Sequence, residues 1–384
     1  MTRLPCPKVY VPLLMILAIE FLFRYGLWEN LVSPNSHSGT SIRAREAISH
    51  QPGKINYVTI GNSIPESGLD HQIIYEFAKL NGFTHVNLCM PGSHLLTVRK
   101  LTQWLSQNIP DLHGVVIGLS FRDIFFSFNG YYEINIITPF MAIGDEYWIA
   151  KQIPVKLNKL QSFGIFSNLI SSREDIKEFI SDPINRYHDL AAIKTNNLNT
   201  LTTNFSNKCN SVCSIDRSSY NSCLKSINTI KNMNHSTPNI YTVEAQCRKF
   251  LNEDRTEINY KNILQKPLSQ ERMLVKNSWQ LALRSSEFKS IPLFILMPTI
   301  NISSSTKDDQ AKYTWAIDIL KPLDEAGDII LKDFTFLFQG NNECEYFEDL
   351  VHLNVKGRDE LMKSITPILK SYYNKTNNII ISTN

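Results

Sequence analysis

Two short clusters, near opposite ends of the chain, hold the side chains best suited to chemistry. Gly61-Asn62-Ser63 follows the β-type run Ile55 to Ile60, and Asp349-Leu350-Val351-His352 precedes an amphipathic stretch near the C-terminus. A serine hydroxyl is a poor nucleophile until an imidazole can accept its proton. A carboxylate that holds this imidazole stabilises its charged form. Serine, histidine and aspartate together are therefore the residue types of acyl transfer through a covalent serine ester. Placing Asp349 and His352 three apart lets one rigid turn deliver both groups to a serine fixed far away in sequence. Each cluster alone also has a plain reading, as a helix cap or a surface residue, so it is their conjunction that carries information.

The elements around them explain how they would meet. Ile55 to Ile60 reads as a strand, and Asp70 to Leu80 as a helix with Ile73, Ile74, Phe77 and Leu80 on one face, closed by Gly82. The pattern repeats with a strand at Thr84 to Cys89, a helix at Ser93 to Asn108 and a strand at Gly114 to Leu119. It resumes with a helix near 268–287, a strand at Ile291 to Met297, a helix near 308–325 and a strand at Asp328 to Phe334. A closing helix follows Asn354, its expected cap, with Leu361, Ile365, Ile368, Leu369 and Tyr372 as the buried stripe. Strands alternating with helices predict an α/β domain with a mainly parallel sheet covered on both faces. Between the third strand and the resumption lies an expected helical insertion, about 124–265, that caps or flanks the site. Ligands of such sheets bind at the carboxyl ends of the strands, where Ser63, Pro91-Gly92 and Ser120-Phe121-Arg122-Asp123 stand. His94 and Arg99 are weaker candidates for the pocket lining, and a polar helix terminus explains them equally well.

In these blocks the chain resembles the SGNH (GDSL-type) hydrolase superfamily, from residue 55 to 370 apart from the insertion. The resemblance implies a three-layer flavodoxin-like domain over 55–373, with Ser63 as nucleophile, His352 as general base and Asp349 orienting it. It also implies an oxyanion hole built from the N–H of Ser63 and of Gly92 and from an asparagine of the third block. No asparagine stands there, so Ser120 or Arg122 would have to replace it; losing one such donor typically costs about 100- to 1000-fold in turnover. Asn62 replaces the aspartate usual before the nucleophile. Asn62 and Arg122 are the candidate substrate-binding residues, Arg122 through a carboxylate or phosphate or, alternatively, by pairing with Asp123. Gly68-Leu69-Asp70 and the N-terminal segment are similar to membrane-tethered relatives that help acylate cell-surface glycans. The activity implied is an acyl ester hydrolase or O-acyltransferase acting on an acylated envelope glycan or glycolipid. The alternative is a catalytically decayed adaptor that positions a multi-pass membrane acyltransferase. No cofactor and no metal are implied.

Bulk composition bounds the remaining choices. With 43% hydrophobic residues the chain can bury a large core, and a net charge of only +3, without charge blocks, disfavours nucleic acid as a partner. Val9 to Trp28 is apolar except for Glu20 and Arg24 and follows Arg3 and Lys8. It predicts a transmembrane anchor over 9–28 with residues 1–8 cytoplasmic and the rest extracytoplasmic, in the periplasm or at the cell surface. A cleaved signal peptide is the rival reading, opposed by the bulky residues after the apolar run. Glu20 and Arg24, four apart, would pair on one helix face, either snorkelling or meeting a partner. Residues 29–54 read as a stalk and 374–384 as an unstructured tail. Cys209, Cys213, Cys223 and Cys247 are candidates for disulfides of unassigned pairing, with a zinc site the weaker alternative.

Overall fold

The computed structural model describes residues 7–33, 36–49, 55–109, 112–126, 130–142, 144–152, 159–195, 270–283, 290–300, 307–339, 343–348 and 351–383. The four cysteines proposed for disulfides and the later part of the insertion lie outside these residues, as does Asp349. Among the described residues five strands form one sheet: β1 (Tyr57–Gly61), β2 (His85–Cys89), β3 (Gly114–Leu119), β4 (Leu293–Leu296) and β5 (Ile330–Asp333). Their order is β2-β1-β3-β4-β5, and every neighbouring pair is parallel. The fold is thus α/β with a parallel sheet, as the strand and helix rhythm predicts. The order reverses between β1 and β3, which opens a crevice at the carboxyl ends of those strands.

The helices run in chain order as α1 (Pro7–Arg24), α2 (His37–Ser49), α3 (Ser63–Gly68), α4 (His71–Leu80), α5 (Leu95–Asn108) and α6 (Phe121–Phe126). The insertion contributes α7 (Gly130–Ile137), α8 (Asp145–Gln152), α9 (Lys159–Phe166), α10 (Asn168–Ser171), α11 (Arg173–Ser181) and α12 (Pro183–Thr195). After it come α13 (Gln270–Leu283), α14 (Lys307–Glu325) and α15 (Val355–Thr383). Alternate strand residues point to opposite faces, and two separate cores result. Val58, Ile60, Val115, Ile117, Phe294 and Leu296 pack with residues of α2, α5, α13 and α14. Tyr57, Val116, Leu293 and Ile295 pack with Ile64 of α3, Ile74 of α4 and Leu361, Ile365 and Leu369 of α15. Continuous burial of β1 and β3 follows from helices on both faces. Across the sheet end, Trp279 of α13 donates its indole N–H to the Ile124 carbonyl at 3.0 Å and ties α6 to the core.

Three expectations about the chain ends are corrected. Among the described residues no helix is long and apolar enough to cross a membrane. In place of the expected 9–28 crossing stands the 18-residue helix α1, Pro7–Arg24, which carries Lys8, Glu20 and Arg24. The chain turns away at Gly26, whose φ of 73° suits glycine. Glu20 and Arg24 do pair, at 3.0 Å, but their other partners belong to the insertion. Glu20 accepts from the Ser167 hydroxyl at 2.7 Å and from the N–H groups of Asn168 and Leu169, so it caps α10. Arg24 reaches Glu146 at 2.8 Å and the Phe166 carbonyl. The apolar side chains from Val11 to Leu22 otherwise stay largely exposed.

The supposed stalk holds α2, whose Ala44 and Ile48 enter the main core. The expected tail continues α15 to Thr383, since a helix already fixed by packing extends at little further cost. The α15 cap is as expected: Asn354 accepts from the Gly357 N–H at 3.0 Å.

Candidate active site

The site is built from the end of β1 outward. Asn62 leaves the strand in an extended conformation, and its side-chain oxygen accepts from the Ile64 N–H at 3.0 Å, which starts α3 at Ser63. The helix lies close against the sheet because two strand residues lack a side chain. A Cβ on Gly61 would come within 2.3 Å of the Pro65 ring and 2.6 Å of the Gly118 carbonyl, and one on Gly118 within 2.7 Å of Pro65. Those two glycines therefore fix the depth of α3, and with it the height of Ser63 above the strand ends.

His352 arrives from the far end of the sequence on a tight turn. Phe347 and Leu353 form an antiparallel bridge, the Glu348 N–H donates to the His352 carbonyl at 2.9 Å, and the Asn354 N–H donates to the Tyr346 carbonyl at 3.0 Å. Asn354 adds a bond from its amide to the Glu345 carbonyl at 2.7 Å. Close packing holds the turn against α15, since a Cβ on Gly357 would stand 2.0 Å from the Tyr346 carbonyl oxygen. It also rests on α3: a Cβ on Gly68 would meet Leu353 at 3.5 Å. The result is a 2.9 Å contact between His352 Nε2 and Ser63 Oγ, across 289 residues of sequence. With the imidazole neutral and protonated on Nδ1, the serine hydroxyl donates to Nε2, the arrangement a general base needs. Asp349, expected to orient the imidazole, lies outside the described residues.

The expected oxyanion donors divide. Gly92 sits in the turn after β2 with φ of 82°, where glycine is favoured. This turn is anchored by the Met90 N–H on the Gly61 carbonyl at 2.8 Å, which sets the second block beside the first. Ser120 does not supply the missing donor. Its hydroxyl and its N–H both donate to Asp123 Oδ2, at 2.6 and 2.8 Å, and the residue is 2% exposed. The Ser120 hydroxyl oxygen also accepts from the Asp123 N–H at 3.3 Å and so caps α6. Asp123 is also 3.8 Å from His94 Nδ1, so the His94 imidazole faces the base of α6. Arg122 is half-buried with its guanidinium over the Phe121 ring, 5.5 Å from the centroid.

Sequence reasoning passed over several groups gathered around α3. Glu66, one helical turn after Ser63, is half-buried, and burial raises its carboxyl to about 7 against an opposing pull from His352. His71 at the start of α4 donates from Nε2 to the Pro65 carbonyl at 3.2 Å, and burial pushes it down to about 4. His85 of β2 hydrogen-bonds Thr59 of β1 at 2.8 Å and is pushed down to about 3 by burial and by His71. The Cys89 thiol is buried and raised, first by burial and then by Glu66. The signal available for Glu66 was its spacing from Ser63 on a helix; His85 and Thr59 meet only once β1 and β2 pair. No group of three His, Cys, Asp or Glu among the described residues converges as a metal ion would require.

No protein-family model matches the chain, and no curated protein matches it.

Proposed function

We propose that the protein is a serine-dependent acyl-transfer enzyme with an SGNH-type, flavodoxin-like domain, acting through an acyl-enzyme on Ser63. The observation that carries this reading is the 2.9 Å contact between His352 Nε2 and Ser63 Oγ. In the proposed reaction the Ser63 oxygen attacks an ester carbonyl while its proton passes to His352. Collapse of the tetrahedral adduct breaks the ester C–O bond, the leaving alcohol takes the proton from His352, and the acyl group stays on Ser63. Water or a sugar hydroxyl then attacks the acyl-enzyme with His352 again as base, which makes the protein a hydrolase or an O-acyltransferase respectively. The N–H groups of Ser63 and Gly92 are the proposed oxyanion donors. Asn62 and Arg122 are the proposed substrate contacts, and Asp349 the residue that orients His352.

The proposed substrates are acylated cell-envelope polysaccharides or glycolipids, on the extracytoplasmic side of a membrane. Support for a place at a membrane surface is the exposed apolar length of α1, held to the domain at its C-terminal end by Glu20 and Arg24. Hydrolysis of a small activated acetate ester by the full-length protein tests the reading. Ser63→Ala should lower turnover by about 1000-fold or more without changing the unfolding midpoint; full turnover in that variant would refute the mechanism. The commitment of Ser120 to Asp123 favours a second reading, a decayed domain serving as an adaptor, and that reading predicts no ester turnover in the wild type either.

A further inference from the structure

We infer that Glu66 is a positioning residue for the proposed reaction: its carboxylate faces His352 and holds the imidazolium that forms when Ser63 gives up its proton. This rests on the acyl-transfer reading for its catalytic meaning, but the pairing itself is a property of the fold.

Three observations place Glu66 there. It lies one turn along α3 from Ser63, so the two side chains leave the helix on the same side. That side of α3 is the one His352 reaches, since His352 Nε2 stands 2.9 Å from Ser63 Oγ. Among the described residues no group donates a hydrogen bond to the Glu66 carboxylate, and His352 draws its carboxyl down against the larger upward push of burial. A half-buried carboxylate in that setting gains most from a cation that appears beside it.

The other titratable groups around α3 do not compete for this role. Cys89, at the end of β2, stays a neutral thiol, and His71 is held neutral by burial. Asp70 caps α4 through the Ile73 N–H and stands 3.7 Å from Arg358 of α15. His85 lies beyond His71, on Thr59. His352 is thus the cation Glu66 can answer. The coupling is reciprocal: an ionised Glu66 favours protonated His352, and a protonated His352 favours ionised Glu66. Below about pH 6 Glu66 is neutral and gives no such help; above about pH 8 it is charged and adds to the work assigned to Asp349.

The test is a side-chain NMR titration of His352 in the full-length protein, its signal assigned by loss in His352→Gln. In E66Q the imidazole should titrate about half a pH unit lower or more than in wild type, while E66D should fall between. Ester turnover should follow, with E66Q losing about threefold to tenfold at pH 8 and little at pH 5.5. A His352 titration that is the same in wild type and E66Q would overturn the inference. Because the titration needs no turnover, it separates the two readings. A protein that hydrolyses no ester yet shows the E66Q displacement would refute the acyl-transfer proposal and uphold the Glu66–His352 pairing.

Discussion

Replacing His85 by glutamine should flatten the acid limb of the stability curve. His85 of β2 is buried against Thr59 of β1, and burial together with His71 pushes its pKa down to about 3 in the folded state. In the unfolded chain it titrates near the ordinary value of about 6.5. The sign follows: above about 6.5 the residue is neutral in both states and costs nothing, and as pH falls the unfolded chain binds a proton that the native one refuses. At about pH 4.5, two units below the ordinary value and still above the folded one, the loss is roughly 3 kcal/mol at about 1.4 kcal/mol per unit. That is a large part of the roughly 5–15 kcal/mol typical of a folded domain. Glutamine keeps a polar group for Thr59 but cannot take the proton. Glu66 works in the opposite direction, since burial raises its carboxyl and its ionisation costs stability as pH rises toward 7. Both proteins retain Glu66, so it cancels when one curve is subtracted from the other. Urea unfolding followed by tryptophan fluorescence, from about pH 7.5 to 4.5, should show wild type losing about 3 kcal/mol relative to His85→Gln. A difference that does not change with pH would mean that His85 titrates alike in the folded and unfolded chain, and wild type gaining on the variant in acid would mean that folding raises its pKa instead of lowering it.

Other outcomes follow from particular contacts. Gly118→Ala pushes a methyl against the rigid Pro65 ring at 2.7 Å; it should cost about 1–3 kcal/mol and, by lifting α3, reduce ester turnover about 100-fold. Unfolding curves and rates on the same samples check both, and an unchanged rate would detach α3 depth from Ser63 function. Glu20→Ala removes three hydrogen bonds to residues 167–169 and one partner of Arg24. It should destabilise the insertion by about 1–3 kcal/mol and speed proteolytic cleavage between α1 and α2; equal cleavage rates would mean that α1 is held by other contacts.

Strands β1, β3 and β4 were legible because each is a short apolar run, as burial on both faces of a parallel sheet requires, whereas the edge strands β2 (His85-Val86-Asn87-Leu88-Cys89) and β5 (Ile330-Leu331-Lys332-Asp333) were legible from their place in the strand and helix rhythm. The contact between Ser63 and His352 was legible for a related reason. Residues at the ends of strands and beside the final helix are brought together by any parallel arrangement with that order. What escaped depended on partners distant in sequence. In α2 the buried Ile42, Ala44 and Ile48 are interleaved with Arg43, Arg45 and Glu46, so the segment reads as polar until the core it enters is known. Glu20 and Arg24 stand in an apolar run, and nothing nearby announces that they cap and pair with groups 122 to 149 residues away. The short helices between Phe121 and Ser181 give each apolar stripe too few turns to show its period. Ser120 stood where a donor was needed, and only the structure shows its hydroxyl turned to Asp123. The Thr59–His85 bond arises from strand pairing, and the His71 bond to the Pro65 carbonyl from the seating of α4, which no single segment encodes.

The most direct test is fluorophosphonate labelling of the intact full-length protein, read by mass, with wild type beside Ser63→Ala and His352→Gln. One adduct is expected on wild type, none on Ser63→Ala, and labelling slowed by about 1000-fold or more in His352→Gln, because the serine then lacks its base. Well-folded wild-type protein that takes no label, or an adduct that persists in Ser63→Ala, would contradict a nucleophilic role for Ser63.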